Sequence, residues 1–321
     1  MRFRLARPAD LAAGSRFVHP GLKMSAQVRA QIVDIWRDLL ARGVNFVVFE
    51  DPALPYPDCI EALGTSAFLK SDFFEGLLRR PKPYVSALVF EEVLAGRPPL
   101  LTQAEVRSAN SDEGLHLLSL HFALRNPDLT QPRTRELLAL ANEAFFFFFG
   151  GYRINSAVAE VYGREQADYM QAGGFYLYED FAGDFTSPEG PPPAAEHPYL
   201  FLLRKEDVRP SAANPLSFLF YPLAPSIFFS PAEQKLLERA LLNESDDETA
   251  QGLGVSLDTV KKTWRRIYER VAREAPQVLN GTNPQFVRTA RGSEKRRHLL
   301  QYLRGHLEEL RPNTRGHVPA K

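Results

Sequence analysis

The stretch from Phe229 to Tyr268 constrains this 321-residue chain more than any other, because its caps, turns and apolar spacing agree with one another. Ser230 stands where a helix would be N-capped, Pro231 suits the first helical position, and Glu233 falls in the acid-preferring first turn. Leu236, Leu237, Ala240 and Leu241 then recur at helical spacing. Asn243 follows, a residue that tolerates the left-handed conformation with which helices often end. Ser245 and Glu248 form a capping box for a second helix, which Gly252 and Gly254 keep short. Ser256 caps a third helix, in which Val260, Trp264 and Ile267 share a packing face while Lys261, Lys262, Arg265 and Arg266 project elsewhere.

A short helix, a glycine-containing turn and a basic helix make a helix-turn-helix. In such a unit the second helix lies in the major groove of DNA, where Lys and Arg neutralise phosphates or donate to guanine. Residue by residue the stretch resembles the LuxR/GerE-type DNA-binding domain of bacterial transcription regulators. The matching positions are Phe229-Ser230-Pro231-Ala232-Glu233, Ser245 to Ala250, Leu253-Gly254-Val255-Ser256, Thr259-Val260-Lys261 and Arg266-Ile267-Tyr268, with no gap across about forty residues. Thr249 stands where that family has an aliphatic residue, Asn243 where it has Gly, Glu244 where it has an apolar residue, and Thr263 where it often has His or Arg. Thr249 and Glu244 are expected to loosen the core. The resemblance implies that the helix over 256–270 reads duplex DNA. Thr259, Lys262, Thr263 and Arg266 would serve the groove and flanking phosphates, with Lys261 and Arg265 secondary.

Charge is distributed to match. From Ser256 to Lys321 fifteen Lys and Arg stand against six acids, in a chain whose formal net charge is zero. A basic end on an acidic body fits a nucleic-acid module joined to a non-binding domain. The content, 44% hydrophobic and 24% charged, is that of a soluble globular protein. Cys59 is the only cysteine, so an intrachain disulfide is excluded and a reducing cytoplasm fits. The N-terminus has no signal-peptide core, and no apolar run approaches the roughly 20 residues that span a bilayer.

The first 186 residues read as a mixed α/β domain. A short strand at Phe3–Leu5, an amphipathic helix over 25–42 and a strand over 44–49 open it. Strands are expected at 83–94, 115–124 and 175–178, and helices at 72–79, 133–144 and 155–172. Phe145 to Phe149, five phenylalanines in a row, read either as a buried strand or as a continuation of the preceding helix, with the strand favoured. Asn155, Ala159, Tyr162 and Ala172-Gly173-Gly174-Phe175 resemble the late part of a GNAT acyltransferase. That family's phosphate cradle, Gln/Arg-x-x-Gly-x-Gly/Ala before a helix, is missing. The corresponding stretch is Arg125-Asn126-Pro127-Asp128-Leu129-Thr130-Gln131-Pro132, and without those backbone donors acyl-coenzyme A binding is expected to be poor.

No zinc, thiol, hydrolase or nucleotide motif is present, so no catalytic residue, metal ligand or cofactor is assigned. His116 and His121, five apart, would lie on opposite faces of a strand, which is poor for chelation. Acidic neighbours Asp58 and Glu61 argue against a reactive thiol at Cys59.

These readings combine into an α+β chain with an N-terminal mixed α/β domain and a C-terminal all-α helix-turn-helix domain. The parts are a sensor or interaction domain at 1–186, a proline-rich linker and intermediate segment at 187–225, and a LuxR-like domain with an extra C-terminal helix at 226–321. The expectation is a cytoplasmic, non-enzymatic transcription regulator. It would bind double-stranded DNA and sense a small molecule or protein, and a homodimer would suit paired half-sites. The alternatives are a GNAT-like acyltransferase and a protein-interaction module, each with an accessory helical domain.

Overall fold

The computed structural model describes residues 1–181, 192–209, 215–280 and 292–314. Residues 187–191 of the proline-rich linker, and 210–214 after it, lie outside the described residues. Seven strands form one sheet: β1 (Arg2–Leu5), β2 (Phe46–Glu50), β3 (Ile60–Leu69), β4 (Leu115–Leu124), β5 (Ile154–Tyr162), β6 (Tyr176–Asp180) and β7 (Pro198–Arg204). Their order is β1-β2-β3-β4-β5-β7-β6. Every neighbouring pair is antiparallel except β4 and β5. A parallel pair needs a crossover, which helix α6 (Pro132–Phe149) supplies.

Helices cover both faces. Before β2 come α1 (Pro8–Gly14) and α2 (Ala26–Ala41). Between β3 and β4 come α3 (Ser71–Arg79), α4 (Val85–Leu94) and α5 (Gln103–Ser111). Leu11, Trp36, Leu39, Val89 and Phe90 join Leu63, Leu118, Val158 and Leu202 of the sheet in one core. On the other face Leu137, Ala144 and Phe148 of α6 pack on Val47, Phe49 and Ala62. There too α7 (Arg164–Ala172) sets Ala167 against Tyr199 and Phe201. Each fully buried large side chain contributes about 1.5–3 kcal/mol relative to exposure.

The phenylalanine run is helical, and three different environments explain it. Phe148 packs under β1 and β2, Phe145, Phe146 and Phe149 pack with Leu117 and Phe220, and Phe147 also touches the C-terminal helices. A helix end enclosed on several sides accepts aromatic residues at every angle, and that burial overrides their strand preference. The same override makes 85–94 a helix rather than a strand, with Val85, Ala87, Val89, Phe90 and Val93 all buried. The helix expected over 155–172 is instead strand β5 followed by α7. Gly163, at φ +83°, makes the turn between them. Strand β3, ten residues long, has no counterpart in the sequence reading.

Five further helices follow: α8 (Pro231–Leu241), α9 (Asp246–Leu253), α10 (Leu257–Glu274), α11 (Gln277–Asn280) and α12 (Gly292–Gly305). Ser230 and Ser245 both build full capping boxes, with Glu233 and Glu248. Leu237, Ile267, Val271, Leu299 and Leu303 form their core, so the leucines of α12 are used for packing. The departures Thr249 and Glu244 are accommodated. Thr249 is buried, and Glu244 accepts from Arg239 Nη1 at 3.0 and 2.9 Å.

This helical group is tied to the sheet body at the end of α6. Arg311 is buried, donates from Nε to Gly150 O at 2.7 Å and from Nη2 to Phe147 O, and lies over the Tyr152 ring at 4.9 Å. A cation on the last carbonyls of a helix also meets the negative end of its dipole. Gly151, at φ +84°, lets the chain at Leu307–Glu308 pass, since a Cβ there would come within 2.4 Å of Glu308 N.

Candidate active site

The one parallel pair of the described sheet comes apart. β4 and β5 run together from Leu115↔Ile154 to Ser119↔Ala159. Beyond that point β4 stays with β3 as far as Leu124↔Ala62, while β5 stays with β7 as far as Tyr162↔Pro198. The carboxyl ends of the two strands therefore diverge, and the backbone groups facing the opening lose their ladder partners. In open sheets with parallel strands, the crevice beyond the carboxyl ends is where ligands bind.

The N-terminal turn of α4 reaches into this opening from one face. Ser86 Oγ donates to Leu120 O of β4 at 2.5 Å, satisfying a carbonyl on the parted side. On β5, Glu160 accepts from Tyr84 N at 2.6 Å, from Val85 N at 3.1 Å and from Tyr162 Oη at 2.7 Å. Tyr84 is left-handed, φ 64°, as its turn into α4 requires. Burial pushes the Glu160 carboxyl up to about 7, against the opposing pull of the three hydrogen bonds. Tyr162 is raised well above its ordinary value, by burial and by the adjacent Glu160 charge. A carboxylate has about four acceptor sites, so three donors leave Glu160 one for another group.

Two histidines complete the surroundings. His19 stacks on Tyr162, centroids 5.0 Å apart, and its Nδ1 accepts from Gly21 N at 3.0 Å. His121 of β4 is fully buried beside Trp36, centroids 5.1 Å apart, and burial followed by the neighbouring His19 lowers its pKa to about 4. Among the described residues neither His121 Nε2 nor Trp36 Nε1 has a hydrogen-bond partner. The expected opposition of His116 and His121 does not hold. The β3–β4 register shifts between Thr65 and Ser66, which pair with His121 and Ser119, so Leu120 is the extra residue and the alternation is reset. His116 consequently stacks on Phe74 of α3, centroids 3.9 Å apart, and bonds Ser156 Oγ through Nδ1 at 2.8 Å. A separate cleft of about 250 Å³ lies at the other, amino end of β4, lined by Glu105, Asp112, Glu113 and His116 among others.

The residues singled out in the sequence sit on α10, away from the elements that build this opening. Thr259, Lys261, Lys262, Arg265 and Arg266 are exposed. Thr263 is buried and donates to Thr259 O at 2.9 Å, so it faces the packing side rather than a partner. Lys262 pairs with Asp258 at 2.7 Å, and Arg266 Nη2 donates to Thr263 Oγ1 at 3.1 Å. Glu160 was missed because it lies in a segment read as helix. A signal was present: Ala157-Val158-Ala159 and Val161-Tyr162 form an apolar run interrupted only by an acid.

No known family matches the chain by sequence, and no curated protein matches it. Solved structures do. Arabidopsis thaliana NAA60 in complex with acetyl-CoA is 14% identical, with 63% of this chain and 97% of that one covered and a TM-score of 0.36. The putative acetyltransferase yncA from Salmonella typhimurium, with acetyl-CoA, is 14% identical over 66% and 98%, TM-score 0.34. The ribosomal-protein-S5-alanine acetyltransferase from Vibrio fischeri is 12% identical over 65% and 94%, TM-score 0.32. The likeness is one of fold and lies in the N-terminal part, and the chain as a whole is mixed α+β. The expectation of a non-enzymatic DNA-binding regulator with duplex DNA as partner is corrected: the solved structures it resembles include the two acetyltransferases just named, and none of the three is named as a DNA-binding regulator. The unusual electrostatics gather at the parted strands of the sheet, and the basic helix belongs to a unit braced against α6 through Arg311. Among the described residues no helix is long and apolar enough to cross a membrane.

Proposed function

We propose that the GNAT-like body is an acyltransferase whose reacting groups meet at the opening between β4 and β5, with Glu160 as the proton acceptor. The observation that carries this reading is the Glu160 carboxyl held by three donors at the mouth of the parallel pair, in a half-buried residue whose burial pushes it up to about 7. A base near the operating pH accepts a proton most effectively, and such perturbed groups gather at working sites. In the transfer, the nitrogen of an amine acceptor bonds to the acyl carbon and the carbon–sulfur bond of a thioester donor breaks. The proton shed by nitrogen goes to the remaining acceptor site of Glu160, and the leaving thiolate takes a proton from solvent. Tyr84 N, Val85 N and Tyr162 Oη hold the carboxylate in place during the step. Cys59 is the sequence's one cysteine and is buried, and a chain without disulfides suits a reducing cytoplasmic setting.

The test is thiol release from acetyl-CoA and from S-acetyl-pantetheine, with short peptides bearing free N-termini as acceptors. Glu160→Gln is expected to lower the rate about 10²–10⁴-fold while the protein stays folded by circular dichroism. Thiol release no faster than in a protein-free control, with both donors, would remove the acyltransferase reading.

A further inference from the structure

One side of the opening between β4 and β5 is covered by the turn from His19 to Lys23, which reaches Glu160 through Tyr162. The His19 ring lies on Tyr162, centroids 5.0 Å apart and planes 17° apart. Tyr162 is buried, and its hydroxyl is one of the three donors to the Glu160 carboxylate. Gly21 lets the turn come this close. Its N–H donates to His19 Nδ1 at 3.0 Å, the contact to a residue two places on that Asn and Asp side chains make in Asx turns. A Cβ on Gly21 would stand 2.8 Å from Tyr162 Cβ and Cγ and 2.9 Å from His19 Nδ1. At its far end Lys23 Nζ donates to Pro20 O at 3.2 Å and pairs with Glu196, in the 3₁₀ turn Ala194–Glu196 that leads into β7.

This arrangement needs a neutral His19, because a protonated imidazole has no lone pair for the Gly21 amide. Burial lowers the His19 pKa, Glu196 opposes it and Lys23 adds to it, so the ring is neutral at pH 7. On the sheet side its neighbour is His121, which is neutral above about 4. The Tyr84 and Tyr162 phenols are the titratable groups beside Glu160. Two effects of uncovering Tyr162 would compete. A looser Tyr162 hydroxyl is a weaker donor, which favours the protonated Glu160. Water entering beside it brings donors of its own and reverses the desolvation, which favours the carboxylate. Burial is the largest cause of the Glu160 shift and outweighs all three hydrogen bonds, so the entry of water decides the sign.

We infer that His19 is a positioning residue for Glu160: its ring, seated on Tyr162 by the Gly21 turn, keeps water from the Tyr162–Glu160 pair and so regulates how readily Glu160 takes a proton. The inference deepens the acyltransferase reading and rests on it for its consequence in turnover.

The experiment is an NMR titration of the side-chain carboxyl carbons in glutamate-labelled full-length protein, with the Glu160 signal identified by its loss in Glu160→Gln. It needs no acyl donor. The wild-type signal is expected to titrate at about 7. His19→Asn keeps an acceptor for Gly21 N but removes the ring. Gly21→Ala keeps the ring but forces the turn off Tyr162. Both should lower the midpoint by about one pH unit and move the pH dependence of thiol release the same way. His19→Phe keeps a ring over Tyr162 without the acceptor and should fall less than either. Tyr162→Phe removes a donor beneath an intact cover and should raise the midpoint, a sign that loss of packing alone would not give. Gly21→Ala, which deletes no side chain, decides the matter if His19→Asn does not fold by circular dichroism. An unmoved midpoint in the folded variants would overturn the inference, as would a fall in His19→Phe equal to that in His19→Asn. Shifted midpoints without thiol release would remove the acyltransferase reading and leave the positioning of Glu160 standing; thiol release with unshifted midpoints would do the reverse.

Discussion

The opening between β4 and β5 and the outer face of α10 are both rich in polar groups, yet they handle charge in opposite ways. On α10 the charges stand in solvent: Lys262 and Asp258 pair at 2.7 Å with side chains 65% and 70% exposed. At the opening the polar groups are withdrawn from water, so Glu160 is pushed up to about 7 and His121 down to about 4. An exposed pair is screened and worth little, whereas a withdrawn group changes its chemistry. Local sequence pattern reveals the first kind, because a helix displays its charges at fixed angles. The second kind arises only where distant segments meet, here residues near 20, 36, 84, 121 and 160.

The sharpest way to break the comparison is to cut the two regions apart. Arg311 is buried on the terminal carbonyls of α6, and it also lowers the burial-raised pKa of Glu238, whose Oε1 has no hydrogen-bond partner among the described residues. Arg311→Ala would strip Phe147 O and Gly150 O of their donor and leave Glu238 without the largest of its counter-charges, ahead of Arg239 and Lys235. A loss of about 3–5 kcal/mol is expected in urea unfolding monitored by circular dichroism. A loss below about 1 kcal/mol would mean that the helical group and the sheet body fold without regard to each other.

The helical region was readable for physical reasons. Ser230, Ser245 and Ser256 cap α8, α9 and α10 with hydrogen bonds to Glu233 N, Glu248 N and Thr259 N, interactions that span three residues. Gly254 turns left-handed where its pattern required, and Val260, Trp264 and Ile267 are buried as their spacing implied. The sheet body was read less well. Asn155–Ala172 contains both a strand and a helix, and its periodicity blends the two. The bulge at Leu120 and the parting after Ser119 depend on pairing with residues forty or more positions away. The turn before α6 was legible as a stretch without glycine, Arg125 to Pro132, that gives way to the helix at Pro132. What the charges of α10 implied about a partner was misjudged, because a basic helical face reports exposure and not ligand.

The next test sharpens the comparison through pH. The Glu160 carboxyl has a folded pKa raised from 4.5 to about 7, so its contribution to stability is full below about 4.5 and is lost as pH rises through 7. The His121 imidazole has a folded pKa lowered from 6.5 to about 4, so its contribution is full above about 6.5 and is lost as pH falls through 4. Each is worth on the order of 3 kcal/mol at its full extent, with opposite slope. They largely cancel between pH 4.5 and 6.5 in the wild-type protein. Glu160→Gln removes one slope, so its stability, although lower overall, should climb over that range by more than the wild type's. Denaturant titrations at the two pH values measure this difference; equal slopes in the two proteins would show that Glu160 does not titrate there.

The smallest effect is expected on the other side of the comparison, and it follows from geometry rather than from the number of charges removed. Lys262→Ala with Arg266→Ala deletes two adjacent cations from α10. Lys262 pairs one turn away with Asp258, and Arg266 reaches only the hydroxyl of Thr263. The packing side of the helix, Val260, Trp264, Ile267 and Val271, is untouched, and Ala is a better helix former than either residue replaced. The lost pair is screened, and the lost hydrogen bond leaves a hydroxyl that still donates to Thr259 O. The melting temperature should therefore move by no more than about 2 °C. Thiol release should be unchanged, because neither side chain belongs to the elements that line the opening. A drop in turnover without a drop in melting temperature would place the basic face of α10 in the path of a substrate, and the division of labour between the two regions would have to be redrawn.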